Sequence, residues 1–181
     1  PINETLDYDY ELSAGSTPTL QAGILMNRYV YEHPKTDRSA FAQIALVAHT
    51  NAVNNPNAIY RKAISKETYQ SASQAASPLN IFDVAPYADG AAALILTTPE
   101  LAKDLPHAMV RVIGSNVAID TLALHDRSDL LAFRAAGVSL EQACHQAGIL
   151  PKDVDFFELH DAFSIFAILS LEAGGFARRG E

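Results

Sequence analysis

The sequence is short of the residues that carry several common chemistries. One cysteine, Cys144, in 181 residues excludes an internal disulfide and a cysteine-rich zinc site. No His, Cys or carboxylate cluster has metal-ligand spacing. There is no glycine-rich phosphate loop of either standard spacing and no Gly-x-Ser-x-Gly elbow. No apolar run reaches the ~18–20 residues of a membrane-spanning helix, and the first residues show no basic stretch backed by an apolar one. Positive charge is also scarce. Thirteen Lys and Arg against 21 Asp and Glu leave a net charge of −8. That balance argues against a nucleic-acid backbone or an anionic membrane surface as the main partner. A local basic pocket for a phosphorylated group stays compatible with it.

What is present is globular. Apolar residues make up 49% and charged residues 19%, so the chain can bury a core and is not disordered. At 19.5 kDa it corresponds to one domain or one and a half, at about 100–200 residues per domain. It opens Pro1-Ile2-Asn3 and closes Arg178-Arg179-Gly180-Glu181, so the expectation is a piece of a longer chain. No internal repeat or low-complexity tract appears.

Residues 1–16 read as an irregular lead-in. Thr17-Pro18 starts a helix, since Thr can accept from free amides and Pro suits the first helical position. Leu20, Ile24, Asn27 and Tyr31 share one face of it up to about Glu32, and His33-Pro34 stops it. A second helix is expected from about Asp37 to Val53, with Ala40, Ile44, Val47, Ala48 and Asn51 at helical spacing. A third begins after Ser65 and runs to Ser77-Pro78. Beyond Leu79 the texture changes. Leu79–Val84 is apolar and extended, Asp89-Gly90 is a turn, and Ala91–Leu96 is the continuous apolar run of a strand buried on both faces. Thr98-Pro99-Glu100 starts a short helix. Met109–Ile119 and Val154–Leu159 read as strands. Residues 126–136 and 139–147 read as two helices, the second with a capping box at Ser139 and a stop at Gly148. Asp161 to about Ala173 is a strongly apolar helix ended by Gly174-Gly175. Strands alternating with helices imply α/β architecture and a parallel-type sheet.

His160 falls at the carboxyl end of the expected strand 154–159, directly ahead of a helix. That edge is where ligands bind in open α/β sheets, and a helix amino terminus there suits an anion or a developing oxyanion. The structural alternative is that Asp161 merely caps the helix and His160 is its neighbour. Asp89-Gly90-Ala91-Ala92-Ala93 reads either as tight packing or as a place for close approach to the backbone. Cys144 lies mid-helix at an apolar position between Ala143 and Ala147, with His145 on another face, so it reads as a packing cysteine and not a nucleophile. His49 and Asn51 either line a cleft or cap a helix end. His125-Asp126-Arg127 reads as a helix start, and His33 and His107 flank prolines in turns.

Together these residues resemble the thiolase superfamily. Ala88-Asp89-Gly90-Ala91-Ala92-Ala93-Leu94-Ile95-Leu96 is similar to its Asp-Gly-Ala-Ala-Ala strand. Asn54-Asn55-Pro56-Asn57-Ala58 is similar to the Asn-Asn-Pro loop of its archaeal and sterol-carrier-protein-type branch. Ala147-Gly148-Ile149, with Asp153 through His160-Asp161-Ala162-Phe163, is similar to that branch's Ala-Gly-Ile, acidic strand and His-Asp-x-Phe motif; other thiolases carry Asn-Glu-Ala-Phe there. One departure is visible: many thiolases place a CoA-facing Ser before Asp-Gly-Ala-Ala-Ala, where this chain has Ala85, Pro86 and Tyr87.

The resemblance implies a partial thiolase-like layered fold. Residues 1–78 correspond to a helical loop domain, 79–105 to the last part of the N-terminal half, and 106–181 to the first part of the C-terminal half. It implies acyl transfer: Claisen condensation, or thiolytic cleavage of 3-oxoacyl-CoA such as acetoacetyl-CoA. His160 matches the catalytic position that helps hold the thioester enolate oxygen, and Phe163 matches a residue near the pantetheine end of the substrate. The nucleophilic and acid/base cysteines of the family match no position here, so these 181 residues alone are expected to be inactive. No metal or separate cofactor is implied; coenzyme A thioester is substrate. The further expectations are a homodimer or larger homo-oligomer, a cytoplasmic setting, a role in lipid metabolism, and neither nucleic acid nor membrane as partner. Two alternatives stand beside this one: a thiolase-like CoA-thioester aldolase (lyase) with a small OB-fold-type partner protein, and a non-catalytic acyl-CoA-binding scaffold subunit.

Overall fold

A computed structural model describes residues 5–106 and 108–181; His107 lies outside the described residues. A short π-helical turn at Tyr8–Leu12 replaces the irregular lead-in, because the Asp7 side chain accepts the Tyr10 amide at 2.8 Å. Helix α1 spans Pro18–Glu32, with the Thr17 hydroxyl accepting the Leu20 amide and Pro18 at its start. Its buried stripe is Ala22, Leu25, Met26 and Tyr29. The stripe formed by Leu20, Ile24 and Tyr31 points outward, and Asn27 uses its amide to donate to the Ser77 carbonyl at 3.1 Å. The reason is simple: two apolar stripes exist on α1, and the one holding the large fully buried Tyr29 meets the core.

Helix α2 (Ser39–Ala52) starts just after Asp37, whose carboxylate accepts the Ser39 amide at 2.8 Å. It buries Phe41, Ala42 and Ala45. Helix α3 is only Lys66–Gln70, although Ser65 caps it as expected. Tertiary partners end it early. The Asn80 side chain donates to the Tyr69 carbonyl, and the Ile81 amide donates to Ser73 O at 3.0 Å. Residues Gln74–Ala76 therefore become strand β1, pairing antiparallel with β2 (Leu79–Asn80) across a cis Ser77-Pro78 bond.

The short helix α4 is Pro99–Ala102. A single helix α5, Arg134–Ala147, replaces the two expected over 126–147. Residues Leu124–Asp126 form only a 3-10 turn, and the Asp129 carboxylate takes the Leu131 amide at 3.0 Å, which delays the helix. Ser139 is not a cap; its hydroxyl donates to the Ala136 carbonyl one turn back. Gly137 does not break α5 because its missing side chain serves packing: a Cβ there would lie 3.0 Å from Ala173 O. Gly148 ends α5 at φ 70°, as expected of a left-handed cap. Helix α6 starts at Ser164 and not at Asp161, and ends at Ala173. The difference has a cause: Phe163 is held extended by an isolated antiparallel bridge to Val84, with the Ala85 amide donating to Ala162 O at 2.9 Å.

The core gathers α1, α2, β2 and α6 through Leu25, Tyr29, Phe41, Leu79, Leu131, Phe163, Ile165 and Leu169. The C-terminal residues strap across it. Arg179 forms a bidentate pair with Asp129, one arm at 2.9 Å, and Glu172 accepts both the Tyr29 hydroxyl and the Gly180 amide.

The mixed α/β character holds, but three segments expected as strands have no strand neighbour among the described residues. Ala91–Leu96, Met109–Ile119 and Val154–Leu159 run without helix or sheet pairing. Leu94 is 82% exposed and Val110 and Ile119 are each 93% exposed. A strand apolar on both faces is buried only when neighbours flank it, and the two-stranded β1–β2 ribbon lies elsewhere.

Candidate functional site

The segment 160–164 is the corner where an extended run turns into α6. His160 and Asp161 are exposed, whereas Phe163 is 6% exposed and Ser164 is buried. Phe163 is the N-cap residue of α6 but caps nothing with its side chain; its ring meets Phe166 edge-on at 5.0 Å. The corner is fixed from the other side by the 83–85 segment through the Val84–Phe163 bridge.

Asp161 and Ser164 line a groove of about 910 Å³. Its other walls come from α2 (Ile44, Ala48, His49), from Tyr60, Arg61 and Lys62, and from residues 81–87. Of the α2 residues at helical spacing, Ile44 and Ala48 thus face this groove, while Val47 is exposed. His49 does line the cleft, one of its two readings. Its Nδ1 lies 3.0 Å from Lys62 O, its ring stacks on Tyr60 at 6.2 Å, and it meets Phe82 edge-on at 5.6 Å. Arg61 and Lys62 bring two positive charges to a chain that is acidic overall. A groove with apolar walls and cations at its side suits an elongated ligand with phosphate at one end and an aliphatic arm.

Beneath the groove sits a carboxylate that sequence reasoning passed over. Asp83 is 3% exposed. It accepts from the Ser164 hydroxyl at 2.6 Å, from the Tyr69 hydroxyl at 2.8 Å, and from the Asn80 amide at 2.8 Å. Burial, then the Asp83 carboxylate, push the Tyr69 hydroxyl well above the ordinary tyrosine range, so Tyr69 stays a donor. The signal available in the sequence was a single acid inside the apolar run Leu79–Val84.

The remaining candidates are placed apart from the groove. Cys144 is buried in α5. His125 lies beside Asp126 at 3.6 Å and packs edge-on against Tyr10. His33 packs against Tyr29, 4.9 Å between ring centres. Nothing lies within 4 Å of a side chain built on Gly90, so close approach at the Asp89-Gly90 turn is not used by the described residues. Among those residues no group of His, Cys, Asp or Glu is arranged to hold a metal ion, and no helix is long and apolar enough to cross a membrane.

A family model described as thiolase C-terminal domain-like matches residues 116–181. The acetyl-CoA acetyltransferase of Methanothermobacter thermautotrophicus is 36% identical over 97% of this chain and 45% of its own length. A steroid side-chain-cleaving aldolase of Thermomonospora curvata is 29% identical over 92% of this chain and 44% of its own. The solved Ltp2-ChsH2(DUF35) aldolase superposes with a TM-score of 0.89 at 29% identity, over 96% of this chain and 47% of that one. The chain thus spans about half the length of the curated relatives it matches.

Proposed function

Since the chain belongs to the thiolase superfamily, we propose that it works as part of a thiolase-type acyltransferase on CoA thioesters, by Claisen condensation or by cleavage of a 3-oxoacyl-CoA such as acetoacetyl-CoA. The observation that carries this reading is the 910 Å³ groove lined by Asp161 and Ser164, with the exposed His160 next to Asp161 in the chain, four residues ahead of α6. His160 donates a hydrogen bond to the thioester oxygen, where negative charge grows as the enolate forms. Arg61 and Lys62 hold phosphate oxygens of coenzyme A, and the apolar groove wall takes the pantetheine arm. Phe163 stands near the pantetheine end, its burial limiting contact to a small part of the ring. The thiolates that acyl transfer requires are not Cys144, which is buried. Residues 1–78 act as the loop domain, and 79–105 and 106–181 as the adjoining parts of the two halves. The proposal includes a homo-oligomer, a cytoplasmic setting, a role in lipid metabolism, and no cofactor beyond the CoA of the substrate.

The test is acetoacetyl-CoA cleavage by the full-length protein that contains these residues. His160→Ala lowers its rate by about 10²–10³, the usual loss for an oxyanion donor; an unchanged rate overturns the assignment. The 181 residues alone show no turnover.

The likeness to the Ltp2-ChsH2(DUF35) aldolase favours one second reading: a CoA-thioester lyase acting with a small partner protein. A cysteine at the nucleophile position upstream of these residues supports transfer, and its absence supports the lyase.

A further inference from the structure

The geometry points to a positioning residue: we infer that Asp83, acting through the Ser164 hydroxyl, sets the placement of the His160–Phe163 corner against the groove. This rests on the thiolase-type reading of that corner. Asp83 joins three separate stretches of chain. It takes Tyr69 of α3, the Asn80 amide of its own turn, and Ser164 at the first position of α6. None of these partners is a cation, so three hydroxyl and amide donors solvate the carboxylate. The bridge Val84–Phe163 and the Ala85-to-Ala162 hydrogen bond lie next along both stretches. The side-chain bond and the bridge therefore fix the same register.

Catalytic groups tolerate little misplacement; about 1 Å of error can cost 10²-fold in rate. Of the hydrogen bonds that Asp83 accepts, the Ser164 bond reaches the corner, whereas the Tyr69 bond reaches α3. That asymmetry separates positioning from general stability.

The experiment compares Ser164→Ala, Ser164→Thr and Tyr69→Phe in the full-length protein. Ser164→Ala lowers kcat for acetoacetyl-CoA cleavage about tenfold with KM within about twofold, Ser164→Thr restores it, and Tyr69→Phe leaves kcat unchanged while lowering the melting temperature. Equal loss in all three variants, or no loss in Ser164→Ala, overturns the inference. Hydrogen exchange at the Ala85 amide gives a second reading that needs no turnover: Ser164→Ala accelerates it and Tyr69→Phe does not. If the wild-type protein has no thiolase-type activity, the functional reading fails while the exchange result still decides whether Asp83 pins the corner. Unchanged exchange in Ser164→Ala overturns it.

Discussion

The carboxylate of Glu11 accepts the backbone amide of Leu124 at 2.7 Å, across 113 positions of sequence. Its other oxygen takes the Asp7 amide at 2.9 Å. One acid near the start of the chain thus closes its own turn and anchors the loop that leads to α5. Burial raises the pKa of Glu11, but the amides of Leu124 and Asp7, with Gln21 and His125, together outweigh it and hold the carboxyl below the ordinary range.

Glu11→Gln is expected to destabilise the fold by about 1–3 kcal/mol, because an amide nitrogen replaces one of the two acceptors. The pH dependence follows in sign. A depressed folded-state pKa gives stability that is full above the unfolded value of about 4.3 and is lost as pH falls through the folded value. Chemical denaturation between neutral and acid pH measures both; in Glu11→Gln the acid-labile part disappears.

Leu169 is fully buried in α6. Leu169→Ala removes side-chain volume at the centre of the core and costs about 2–5 kcal/mol. For a protein of this size each kcal/mol lowers the melting temperature by roughly 2–4 °C, so calorimetry resolves it easily.

Gly114 is pressed against α5: a Cβ there would overlap the Ala143 carbonyl oxygen. Gly114→Ala forces the 109–119 segment and α5 apart and destabilises by about 1–3 kcal/mol, whereas Gly90→Ala, with open space around it, is close to neutral. Comparing the two by thermal unfolding checks that packing, and not glycine content, is responsible.

The pair Asp129–Arg179 is about two-fifths exposed on both sides. Hydrogen bonding to Arg179 lowers the Asp129 pKa, against a smaller effect of burial. Arg179→Ala is therefore expected to cost less than about 1 kcal/mol, with the difference shrinking in high salt and vanishing once acid protonates Asp129. Urea midpoints at low and high salt measure it.

Much of this was legible in the residues. Thr17-Pro18, Ser65 and Gly148 act where capping chemistry places them, because those bonds are local. The resemblance carried by Asp89–Leu96 and by His160–Phe163 agrees with the likeness to the acetyl-CoA acetyltransferase and to the thiolase C-terminal domain-like model. The readings that went astray depended on distant partners. Nothing in Ser139-Leu140-Glu141-Gln142 tells that Gly137 is needed for contact with Ala173, so the pattern suggests two helices where one forms. Nothing near Gln70 tells that Asn80 will take the Tyr69 carbonyl and end α3. Asp83 was passed over for the same reason: its role comes from Ser164, 81 positions away, and a lone acid in an apolar run has no spacing to read.

The extended runs 91–96, 109–119 and 154–159 carry a consequence for handling the molecule. Backbone amides and carbonyls that have no sheet partner among the described residues, beside bare Leu, Ile and Val side chains, form a ready template for edge-to-edge self-association. These residues produced by themselves should enter inclusion bodies or soluble aggregates at concentrations where a protein with those edges covered stays monodisperse. A lysine substituted at Ile95 or Val110 should raise their solubility in isolation.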